Sequence, residues 1–288
     1  NNFTWTGGDI SGTGVLNTLN SSTSTLNGHS VSLADSRIWN NSGSVTWTGD
    51  GGLEDYFLLD NTAQFNNLTN GVFNDNTQTT SFTDIGSSAS AVFNNAGTFN
   101  KAGSAVRTGT GSTVFNNTGI VNILNGDFFI EKGGTHTGLF SVANNATLNF
   151  SNGVNNMNSG SSFNGSGTVI FTGGTHDFNN GASYTFNGET QINNSVFSIN
   201  TAIVRFNTGT GVTMDRLSIN NGILGGSDVV TVNTIANIES IDVINILGEK
   251  VLTITSNKIL AKVIVDHESP FLKSIIINKG SKEKIKIG

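Results

Sequence analysis

Two copies of Gly-Gly-Thr-His, ending at His136 and at His176, put a histidine in matching places 40 residues apart. A histidine pair on one face could ligate a metal or relay a proton. The blander reading is one turn residue occurring twice, two repeats apart in a stack. At ~4.8 Å per strand that is about 10 Å, too far to share an ion. His29 and His267 have no neighbour in the sequence that completes a site. Gly49-Asp50-Gly51-Gly52, with Glu54 and Asp55 after it, resembles one unit of a calcium-binding Gly/Asp repeat. A hard cation wants several oxygens at fixed spacing, and this run occurs once. Asp127, Glu131 and Lys132 come nearest to the carboxylate cluster that polysaccharide cleavage needs. A solvated turn explains them equally well. Asp75, Asp84, Asp177 and Glu189 fall singly, as do Lys101, Arg107 and Arg205. Ice binding would need a Thr-x-Thr ladder in every repeat, and Thr4-Trp5-Thr6, Thr46-Trp47-Thr48 and Thr108-Gly109-Thr110 are too few. These patterns therefore assign no catalytic residue, no cofactor and no metal.

The elements that carry these residues follow from composition and repeats. Only 12% of the 288 residues are charged, about half the usual share. Asn occurs 42 times, Gly 36 times and Pro once. Such a chain would read as low-complexity and disordered were it not for its 19 Phe, spread at intervals, and a net charge of only −6. The acidic balance disfavours nucleic acid as a partner, because phosphates would be repelled. The absence of cysteine excludes a disulfide scaffold and thiolate metal sites. No apolar run reaches the ~18 residues of a transmembrane helix. The chain starts at Asn1 directly in repeat material, which reads as a processed or trimmed N-terminus and is consistent with export.

Phe93-Asn94-Asn95-Ala96-Gly97 returns 22 residues later as Phe115-Asn116-Asn117-Thr118-Gly119, and Phe65-Asn66-Asn67-Leu68-Thr69 precedes it by 28. Thr4-Trp5-Thr6-Gly7 returns after 42 residues as Thr46-Trp47-Thr48-Gly49. Period-2 alternation is visible in Val31-Ser32-Leu33 and Val45-Thr46-Trp47, and no stretch keeps a 3.6-residue period. The expected fold is all-β: a parallel β-solenoid of roughly 20–22-residue coils over 1–230, followed by a small C-terminal β-sandwich-like domain over 231–288. Phe65, Phe93, Phe99, Phe115, Phe150, Phe171 and Phe186 are its expected core. Asn-Gly pairs mark corners, and Asn stacked on Asn can form amide ladders. The atypical segment Gly51–Asp60 reads as a short helical or looped insertion.

From about residue 227 the language changes to Ile, Val and Lys, and Gly falls to three residues. Ile241-Asp242-Val243-Ile244-Asn245-Ile246-Leu247-Gly248-Glu249-Lys250-Val251 resembles the core motif of the C-terminal sorting domains of proteins exported by the Bacteroidetes type IX secretion system. Ser274–Gly280 with Lys282–Ile287 resembles the closing strands of that domain. Ile244 stands where the family has Tyr, and Ser269-Pro270-Phe271-Leu272 replaces its Gly-(Ile/Val)-Tyr motif. The resemblance implies a sorting or assembly role for Ile241, Val243, Gly248, Val251, Ile275 and Ile277. The Phe-Asn-Asn-x-Gly repeats resemble passenger regions of bacterial adhesins. Together these set the expectation of a non-enzymatic extracellular structural protein: a cell-surface rod, adhesin stalk or self-assembling filament subunit. Its partners would be copies of itself or cell-surface components, glycans among them. The rival expectation is a carbohydrate-binding or polysaccharide-degrading β-helix, marked by exposed aromatics beside a carboxylate cluster.

Overall fold

Residues 2–79, 82–193 and 195–200 are described by the structure, a computed structural model, together with strands Ile203–Phe206, Val212–Gly226, Val230–Ile244, Lys250–Thr255, Val263–Val265 and Ile275–Ile277. The described residues form strands and turns, with no helix among them. Each coil lays one short strand on each of three sheets. The first coil supplies Asn2–Trp5, Gly8–Ile10 and Val15–Thr18; the second lays Thr23–Leu26, Ser30–Leu33 and Ile38–Asn41 on them in parallel. The first sheet has eight strands and the second nine, and the third continues into the C-terminal strands. The result is a parallel β-solenoid of about nine turns.

The sequence folds this way because successive residues face opposite sides of a strand. In Val92-Phe93-Asn94-Asn95, Phe93 and Asn95 are buried and their neighbours are not. The Phe-Asn-Asn copies lie in exact register on the third sheet, Phe65 on Phe93 on Phe115. The two Thr-Trp-Thr copies lie two coils apart on the first sheet, with Leu26 between Trp5 and Trp47. Phe65, Phe93, Phe99, Phe115, Phe150, Phe171 and Phe186 are all fully buried. Phe93 alone meets Phe65 at 4.8 Å, Phe115 at 5.2 Å and Phe73 at 5.4 Å between ring centroids. Aromatic pairs at such separations add about 0.5–1.5 kcal/mol each beyond the area they bury.

Asparagine runs the length of several coils as ladders. Inside the third sheet, Asn41 Nδ2 donates to Asn67 Oδ1 (2.9 Å), Asn67 to Asn95 (2.8 Å) and Asn95 to Asn117 (2.9 Å). One residue earlier, on the outer surface of the same strands, Asn40, Asn66, Asn94 and Asn116 form a second ladder, with 2.8 Å between Asn94 Nδ2 and Asn66 Oδ1. Its donors point the opposite way along the axis. A third ladder, Asn74–Asn100–Asn122, lies on the first sheet.

The glycine that closes Phe-Asn-Asn-x-Gly has a steric reason. A Cβ on Gly97 would overlap the carbonyl oxygens of Gly71 and Leu68, so the chain can pass this close to the coil beneath only without a side chain.

Coil length varies more than the repeats suggest. Stacked partners are 19 residues apart from His136 to Asn155 and 28 apart from Asn67 to Asn95. Corners absorb the difference. Between Trp47 and Glu54 the chain makes a corner over 48–53, where the coil before needs only 27–29. Gly51–Asp60 is thus not helical. Its second half is the strand Glu54–Leu59, a regular member of the second sheet between Ser30–Leu33 and Phe82–Ile85. The apolar alternation Phe57, Leu59 belongs to the core.

Val212–Gly226 pairs in parallel with both Val196–Asn200 and Ile203–Phe206, and then with Val230–Ile244. Strand pairing therefore runs continuously past residue 230. Lys250–Thr255 and Val263–Val265 each pair antiparallel with Val230–Ile244, and Ile275–Ile277 pairs antiparallel with Val263–Val265.

Candidate functional site

Charged side chains of the described coils gather on the outer surface of the second sheet. Register makes one column of Tyr56, Asp84, Gly109, Phe129, Asn149 and Ile170, one residue per coil. Gly109 is a gap in that column, and three charged groups lean over it. A Cβ there would run into Glu131 Oε2 and would sit 2.7 Å from Asp84 Oδ1 and 3.2 Å from Arg107 Nη2. Arg107 pairs with Glu131, which also accepts a 2.9 Å hydrogen bond from the Gly111 amide. The Arg107 guanidinium lies 4.3 Å from the centre of the half-exposed Phe129 ring. At the head of the column, the Tyr56 hydroxyl donates to Glu54.

Burial pushes the Asp84 carboxyl up to about 6, with a further push from the Glu131 charge and opposition from Arg107. Asp84 is thus poised to hold or give a proton near neutrality, while Glu131 is held by two donors. Replacing Arg107 by Gln should raise the Asp84 midpoint further, and Glu131→Gln should lower it. Carboxyl ¹³C shifts followed through a pH titration report both directions.

Asp127, Glu131 and Lys132 do not act together. Glu131 turns to Arg107 and Asp84, Asp127 lies one strand position below Arg107, and Lys132 is exposed. Asp84 and Arg107 were not legible as partners of Glu131 because the three come from three successive coils. The register of the second sheet is the signal that joins them.

The histidines of the two Gly-Gly-Thr-His copies are not turn residues. Both are buried strand residues that face the core. Nor are the copies in register: two coils on from His136 stands Phe178, and His176 stacks on Asn155. The slip is two residues, which keeps both rings on the inner face. Asn155 joins them, its Oδ1 3.3 Å from His136 Nε2 and its Nδ2 3.3 Å from His176 Nδ1, and His176 Nε2 reaches the Gly173 carbonyl at 2.8 Å. That network assigns the proton to Nε2 in both rings. Burial holds both histidines down at about 4. They are neutral core residues.

A second interior polar group centres on Asp75. Its carboxylate accepts from the Thr77 and Thr108 hydroxyls, both at 2.6 Å, and Thr108 meets Thr83 at 2.7 Å. Lys101, in register with Asp75 and fully buried, donates to the carbonyls of Gly103 (2.9 Å) and Ala105 (3.0 Å). Its burial lowers its pKa. These groups tie corners to strands.

Of the C-terminal residues, Ile241 and Val243 lie in Val230–Ile244, opposite Ile254 and Leu252. Val251 lies in Lys250–Thr255, and Ile275 and Ile277 pair with Val265 and Val263. Gly248 and His267 lie outside the described residues. No family model, curated protein or solved structure matches this chain.

Proposed function

We propose that this chain is an extracellular structural element, a stiff cell-surface rod, stalk or filament subunit, and that it is not an enzyme. The observation that carries this reading is the residue-on-residue stacking of Phe and Asn through three parallel sheets. The aromatic residues are spent almost wholly on the interior, where they resist bending instead of meeting a ligand. Nine coils at a strand spacing of ~4.8 Å make a body on the order of 40 Å long. The strands of the first coil pair on one side only among the described residues, with the second coil. A strand edge of that kind accepts another coil, from a second copy of this chain or from a neighbouring segment. The extracellular setting rests on the lack of cysteine and on the sorting-domain resemblance of the tail.

Negative-stain electron microscopy across a concentration series tests the proposal. Fibres with a constant axial repeat would support a self-assembling subunit, and uniform short rods would support a stalk. Compact or branched particles would sink both. A second reading, glycan binding, is favoured by Asp84, Arg107 and Glu131 beside the Tyr56 and Phe129 rings. Carboxylates and a guanidinium can bond sugar hydroxyls, and the rings can stack on sugar faces. Glycan-array binding that disappears in Arg107→Gln would raise this reading above the first.

A further inference from the structure

We propose that His29, Asp50 and Asp55 form a site for one divalent transition-metal ion of the zinc class, which clips the corner at 48–53 onto the coil beneath it. One ligand atom of each residue lies within 4.8 Å of the other two. They come from different places in the chain. His29 ends the short corner before Ser30–Leu33, Asp50 sits in the longer corner one coil later, and Asp55 is the second residue of the strand that follows. Backbone pairing holds the two coils together here, since the Tyr56 amide donates to the His29 carbonyl at 2.8 Å. The His29 ring stands edge-on to Tyr56, with centroids 5.6 Å apart.

Asp55 points to a ligand independently of this proximity. Its side chain is fully buried, and its Oδ2 has no hydrogen-bond partner. Its Oδ1 accepts only from the Asp50 amide, at 3.0 Å. Gly49 (φ +60) makes room for this carboxylate, because a Cβ there would overlap it. A buried carboxylate oxygen without a partner is costly, and a second carboxylate alongside makes it more so. Burial and the nearby Asp50 both push Asp55 upward, as expected for two carboxylates that need a proton or a cation between them.

The donor set decides the ion class. One imidazole nitrogen with two carboxylate oxygens suits zinc and its neighbours, whereas calcium and magnesium take oxygen alone. Bonds of about 2.0–2.1 Å place tetrahedral ligand atoms about 3.3 Å apart. His29 and Asp50 are exposed, so rotation of their side chains can close the set to that spacing. Three protein ligands leave a fourth position for water.

The test is isothermal titration of the full chain, stripped with EDTA, using zinc chloride, with calcium chloride in parallel. The expected result is one zinc per chain, with affinity reduced at least tenfold in His29→Gln and again in Asp50→Asn. Both positions are exposed, so neither variant depends on refilling the core. Cobalt(II) should bind with a visible absorption that His29→Gln removes. Absence of stoichiometric zinc binding would overturn the proposal, as would zinc binding indifferent to both substitutions. Calcium binding tighter than zinc would overturn it too, because it would mean an oxygen-only site.

Discussion

Between pH 7 and pH 4 the two core histidines are expected to withdraw on the order of 5 kcal/mol of stability. His136 and His176 titrate at about 4 in the folded chain because they are buried. In the unfolded chain each titrates near 6.5, a difference worth about 3 kcal/mol apiece. The sign follows from proton binding. Between those two values the unfolded state takes up protons that the folded state refuses, so stability is complete above 6.5 and drains away as the pH falls towards 4. The wire through Asn155 explains why the fold cannot accommodate the protons. His176 Nδ1 already accepts a hydrogen bond, and a proton there would face the Asn155 amide hydrogen. Asp55 and Asp84 are held above the usual carboxylate value and work in the opposite direction, so the histidine contribution is best read as a difference. Urea midpoints at pH 7, 6, 5 and 4 should fall steeply for the wild type. They should lose that slope in His136→Gln/His176→Gln, whose amides do not titrate. An unchanged slope in the double variant would place the acid sensitivity elsewhere.

The second large effect concerns adjacent asparagines. Asn95→Leu should cost about 3 kcal/mol, whereas Asn94→Leu should cost less than about 1 kcal/mol. Asn95 is buried, accepts from Asn67 and donates to Asn117 and to the Ile120 carbonyl at 2.9 Å. Leucine would bury the severed ends of the ladder on both sides. Asn94 makes the same kind of bonds on the outside, where water can replace them. Equilibrium unfolding followed by circular dichroism separates the two. Equal losses would show that the inner ladder is no more than decoration on an aromatic core.

The solenoid was legible where successive coils repeat in register. Phe-Asn-Asn-x-Gly announces an inward ring, an outward amide, an inward amide and a close approach, and Phe65, Phe93 and Phe115 stack accordingly. Gly-Gly-Thr-His misled because equal words need not occupy equal positions. Coil length changes between the copies, and a two-residue slip is invisible in a sequence. Glu54–Leu59 misled because its charged and apolar residues alternate between two faces that only the fold distinguishes. The charged group over Gly109 could not be read at all, since Asp84, Arg107 and Glu131 draw their proximity from stacking and not from spacing. The same holds for His29 with Asp50 and Asp55.

One feature of the third sheet has a longer reach. Its two inward columns exchange character after Asn117. The amide column Asn41, Asn67, Asn95, Asn117 continues as His136, Met157 and Phe178, while Asn155 and His176 lead into Phe197 in the other. In a crystal this would be an antiphase boundary. On the near side the layers carrying Asn67, Asn95 and Asn117 are interchangeable, so a duplicated or deleted layer there leaves every side chain facing its own kind. A layer copied across the boundary would set amides against rings. The length of this molecule is therefore free to drift on one side of the fault and fixed at the fault itself.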